Sequence, residues 1–106
     1  MSGGRFDYFQ YRIAEIYDSI ENEIEHNNED PGWWGEFRGY RYEDDTLEIF
    51  KKAIAFLKIA EVYANRIDYL LEGDDGENDL QRRLKQDLDG LVHNDKYGYV
   101  KKFLEN

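Results

Sequence analysis

Apolar residues return every three or four positions along most of this chain, and the pattern divides it into four segments. In the first, Phe9, Ile13, Ile16, Ile20 and Ile24 share one helical face, and Tyr17 widens the stripe beside Ile13 and Ile20. This spacing predicts a helix over about 6–27. Glu23 and Glu25 near its end oppose the helix dipole, so the last turn is expected to fray into "HNNEDPG". Pro31 then closes the segment, because proline disfavours helical geometry at Asp30.

The second segment carries two apolar stripes on adjoining faces. Ile49, Ala53, Phe56, Ala60, Tyr63, Ile67 and Leu70 form one, and Phe50, Ile54, Leu57, Ala64 and Leu71 form the other. A helix apolar over so wide an arc is expected to be flanked on two sides, which makes 45–72 the central helix. Asp44 or Asp45 is read as its N-cap, with Glu48 in capping-box spacing from Asp45. Gly73 is a natural left-handed terminator. In "GDDGEND", Asp74 or Asp75 is read as the next cap, with Glu77 three residues after Asp74. Leu80, Leu84, Leu88 and Leu91 then mark a helix over about 75–91, ended by Gly90 and "HND". Tyr99, Val100, Phe103 and Leu104 suffice for a short docking helix over about 96–104.

No strand pattern or internal repeat competes with these elements. The expectation is one all-α domain over 1–106: an antiparallel bundle of three main helices plus a short C-terminal helix or turn.

Composition narrows the function classes. Charged residues make up 36% and aromatic residues 16% of the 106, with a formal net charge of −10. So many aromatics indicate a folded domain, and the negative charge disfavours nucleic acid and anionic membrane as direct partners. There is no cysteine, which removes disulfides and thiolate metal sites. The opening "MSGGRFDYFQ" has no apolar run and no segment is long and apolar enough to span a membrane, so a cytoplasmic protein is expected.

Candidate chemistry is sparse. Glu23-x-x-His26 has di-iron spacing, but a second copy is missing because Gly90 stands three residues before His93. The oxygens of "GDDGENDL" do not keep the alternating spacing of a calcium loop. Glu15-x-x-Asp18 and Asp45-x-x-Glu48 resemble pieces of a magnesium-dependent nucleotide hydrolase, yet the first pair lies off the apolar stripe and Asp45 serves better as a cap. No phosphate loop or nucleophile-base set is present. No cofactor, no metal and no catalytic residue are therefore expected, and a nucleotide-binding or nucleotide-hydrolysing protein is kept as an alternative.

Two features point to binding. From Arg5 to Asp30 there are eight acids and two bases, a net of −6, with Glu15, Asp18, Glu21 and Glu25 on an acidic face. That face would steer the chain toward a basic protein or, as an alternative, act as a DNA mimic. The loop 31–43 holds "PGWWGEFRGYRY", and Trp33, Trp34, Phe37, Arg38, Tyr40 and Arg41 have the composition of an interface hot spot. How its rings divide between interior and surface is left open. So many rings on three helices would also leave an apolar patch for a homo-oligomer.

Two longer stretches, "SGGRFDYFQYRIAEIYDSIE" and "YANRIDYLLEGDDGENDLQRRLKQDL", carry a resemblance. The chain resembles short uncharacterised proteins of bacteria and their phages with a GG-x-FDY-x-QYRI opening and an RID-[YW]-L-x-[SG]-GDDGE segment. The resemblance implies a small helical protein of mobile elements, with an accessory role such as binding and inhibiting a host defence protein. The expected function is accordingly a non-enzymatic protein-interaction module.

Overall fold

The computed structural model describes residues 6, 9–27 and 42–105. Within them the chain is all-α: α1 is Tyr11–Glu25, α2 Asp44–Leu71, α3 Glu77–His93 and α4 Tyr99–Glu105. Three main helices and a short C-terminal one thus stand where the periodicity puts them. The first begins later than expected, at Tyr11, and α3 runs through Gly90 to His93.

Two expected caps are replaced. Glu43 and Gly76 hold the N-cap positions of α2 and α3 in extended backbone, and neither makes a side-chain cap. Asp44 and Asp45 lie inside the first turn of α2, where their charge complements the helix dipole. Gly73 does adopt the left-handed conformation, at φ 83°, which lets the amides of Asp74 and Asp75 close back on the Tyr69 carbonyl.

α2 is the spine. α1 lies antiparallel along one of its sides: Gln10 meets Asp68 at one end, Tyr17 meets Glu61 midway, and Glu21 meets Lys58 further on. α3 returns along another side, tied through Arg66, and α4 lies across the N-terminal half of α2, with Phe103 edge-on to Phe56 at 4.3 Å. Among the described residues α1 and α3 do not touch each other. The result is an open layer hung on one helix, and the chain measures 56 × 34 × 18 Å. Its thickness is about that of two packed helices.

The core is correspondingly thin. Among the described residues the buried apolar side chains are Ile54, Ala55 and Val100. On α1 the covered stripe is Ile13, Tyr17, Ile20 and Ile24, whereas Phe9 and Ile16 of the expected stripe face solvent.

Candidate functional site

The apolar stripes of α2 divide unequally. Phe50, Ile54, Leu57 and Ala64 are buried or half-buried beneath the neighbouring helices. The other stripe stays open: Ile49, Phe56, Ala60, Tyr63 and Ile67 are exposed, and Leu71 continues the row. The expectation that both stripes would be flanked is therefore corrected. The second flank of α2 covers Ala55, Ile59 and Val62 instead, because α3 and α4 approach from that side.

Charge follows the opposite rule. From Ala53 to Leu71, α2 has four charged residues, Lys58, Glu61, Arg66 and Asp68, and each turns toward the rest of the chain. The Lys58 ammonium lies 3.1 Å from Glu21 and 3.7 Å from the buried Asp95 carboxylate. Glu61 accepts the Tyr17 hydroxyl at 2.7 Å. Arg66 bridges Asp75 at 3.0 Å and Asp87 at 2.7 Å, with its guanidinium over the Tyr69 ring. Asp68 accepts the Phe6 amide at 3.2 Å and the Gln10 side-chain amide at 3.4 Å. Over the same nineteen positions the exposed residues are Phe56, Ala60, Tyr63, Ile67, Tyr69 and Leu71. A free amphipathic helix would place its charges outward and its rings inward. Here the outward seam, Ile49 to Leu71, carries no charge beyond Lys52.

Asp75 anchors a second polar cluster. Its carboxylate is buried and pairs with both Arg66 and Arg83, so it serves as an ion-pair hub instead of a helix cap. Sequence reasoning missed this hub; the signal was the two arginines at nine residues before and eight after. The start of the described chain and the C-terminal end of α2 meet where the Phe6 amide and the Gln10 side chain bond Asp68.

The expected acidic face is divided. Glu15 and Asp18 are exposed, but Glu21 is drawn to Lys58, and Glu25 accepts the hydroxyl of Tyr97. Trp33, Trp34, Phe37, Arg38, Tyr40 and Arg41 lie outside the described residues. The two ends of that loop are joined: the Asn27 side chain accepts the Tyr42 amide at 2.8 Å and donates to its carbonyl at 3.1 Å. Asn27 is buried, and the Tyr42 ring meets Phe50 edge-on at 5.0 Å.

A cavity of about 290 Å³ lies between α2 and α4, lined by Lys51, Lys52, Lys102, Tyr97, Tyr99, Phe103, Gly98 and Glu48. Glu48 is 3.1 Å from Lys51 and 3.9 Å from Lys102, and this pairing holds its carboxyl below the usual range. The cavity's cationic groups thus already have an anion. Burial raises the Tyr99 hydroxyl above the ordinary tyrosine value. The Tyr17 hydroxyl is raised further, by burial first and by its bond to Glu61 second.

Among the described residues no group of three or more histidine, cysteine or acidic side chains could hold a metal ion, and no helix is long and apolar enough to cross a membrane. His26 closes α1 at its C-cap position. Comparison with protein-family models, curated proteins and solved structures finds no match.

Proposed function

We propose that this chain is a non-enzymatic protein-interaction module whose principal contact surface is the outer face of α2. The observation that carries the reading is the inverted polarity of that helix after Lys52: its charges face its own neighbours and its rings face outward. Exposed apolar rows of this extent mark contact surfaces, and aromatic side chains are the groups most often found as their anchors. Glu15 and Asp18 add an acidic edge on α1 that would steer a basic protein toward the molecule. The resemblance to phage and bacterial proteins extends the reading to an accessory role, in which binding blocks a host protein.

Capture of proteins from a bacterial lysate tests it, with the native chain and Phe56→Glu/Tyr63→Glu compared at low and moderate salt. The native chain retains a partner that the double variant loses. Loss instead on neutralising Glu15 and Asp18, with Phe56→Glu/Tyr63→Glu unaffected, favours nucleic-acid mimicry. Magnesium-dependent consumption of a nucleoside triphosphate by the pure chain overturns the non-enzymatic reading.

A further inference from the structure

The geometry points to a second copy of this chain as the occupant of the α2 seam, paired antiparallel about a two-fold axis at Ala60. This deepens the interaction reading above and rests on it. The seam runs Ile49, Ala53, Phe56, Ala60, Tyr63, Ile67, Leu71, in steps of three and four residues, as in the face of a helix that packs against another helix.

The seam is self-complementary when one copy is reversed. Ala60 is its midpoint, so a two-fold axis there sets Ile49 against Leu71 of the other copy, Ala53 against Ile67, and Phe56 beside Tyr63. Ala53 then faces the larger Ile67, and the alanine pair at the axis lets the helices approach closely. Parallel pairing would instead stack Phe56 on Phe56 and set Ala53 on Ala53, leaving a void there. It would also align the two helix dipoles side by side, which the antiparallel arrangement avoids. A symmetric contact requires a patch that fits itself, and this row does so in one direction.

Charge and area both favour a second copy. No charge is exposed between Ala53 and Leu71, so the seam suits an equally uncharged apolar face such as its own. Two chains of net charge −10 can meet here because the contact exposes no acid, and its one exposed charge is the cation Lys52. Ile49, Phe56, Tyr63, Ile67 and Leu71 are 65, 54, 42, 39 and 44% exposed. At full side-chain areas of roughly 200 Å², these offer on the order of 500 Å² per copy, or about 1,000 Å² in all, the lower bound of specific interfaces.

Sedimentation equilibrium between 1 and 100 µM (roughly the range in which interfaces of this size associate) tests the pairing. The native chain is expected at twice its 12.7 kDa mass in the upper part of that range. Ala60→Glu sets two carboxylates against each other at the axis and weakens the dimer at least tenfold, with helicity by circular dichroism unchanged. Because the chain has no cysteine, Ile49→Cys and Leu71→Cys report the register: mixed and oxidised, they form a disulfide-linked heterodimer, and neither links to itself. Native chain that stays monomeric at 100 µM, a dimer indifferent to Ala60→Glu, or Ile49→Cys linking to itself overturns the proposal. A monomeric native chain leaves the wider reading standing if its lysate capture is still lost in Phe56→Glu/Tyr63→Glu.

Discussion

Lys58 of α2 points its ammonium inward to the Glu21 carboxylate of α1, 3.1 Å away, in a position that a free helix would give to solvent. Asp95, whose carboxylate has no exposure, lies on the other side of the same ammonium and accepts the Val100 amide at 2.6 Å. One cation therefore joins α1, α2 and the start of α4. Lys58→Met leaves two shielded carboxylates without it and is expected to destabilise the fold by about 3 kcal/mol, read by urea denaturation.

Asp75 is the corresponding anion at the other end of the layer. Asp75→Ala strips Arg66 and Arg83 of a shared partner, and a loss of about 3 kcal/mol is expected. Had Asp75 been a cap, the loss would be nearer 1 kcal/mol. Thermal unfolding of this variant beside Asp74→Ala, which should change little, separates the two roles.

Alkaline pH should loosen the contact between α1 and α2. The folded state holds the Tyr17 proton well above the usual tyrosine range, through burial and its bond to Glu61, whereas the unfolded chain releases it near pH 10. Above that pH the unfolded state binds fewer protons than the folded one, so stability falls as pH rises. The contribution is complete below about pH 10 and is lost as pH climbs toward the folded value. Denaturation midpoints followed from pH 9 to 11 should fall more steeply for the native chain than for Tyr17→Phe.

The Asn27 clamp gives a fourth test. Asn27→Ala removes both hydrogen bonds to the Tyr42 peptide groups, at a cost of about 2 kcal/mol, while Asn27→Asp keeps the acceptor and loses the donor. The aspartate variant should therefore fall between alanine and the native chain in a melting experiment.

The helices were legible because their signals are local: the leucine row of α3, Gly73 after α2 and the stripes themselves lie within a few residues of one another. The open face of α2 was not legible. Periodicity marks Ile49, Phe56, Tyr63 and Ile67 as apolar just as it marks Phe50, Ile54 and Leu57, but it does not say which arc receives a neighbour. Glu21 reads as a surface acid until Lys58, thirty-seven residues later, is placed beside it. Asp75 reads as a cap for a similar reason, since its arginines become partners only once the turn at Gly73 has folded α3 back on α2.

The most direct measurement of the central claim is the stability and partner binding of Phe56→Glu/Tyr63→Glu, examined together in dilute solution. If the outer face of α2 is a contact surface, the double variant keeps its helicity and cooperative unfolding, losing no more than about 1.5 kcal/mol of stability with the Phe56–Phe103 ring pair, yet no longer retains the protein that the native chain captures. Loss of helicity or of a cooperative unfolding transition in the variant, or capture equal to that of the native chain, would contradict it.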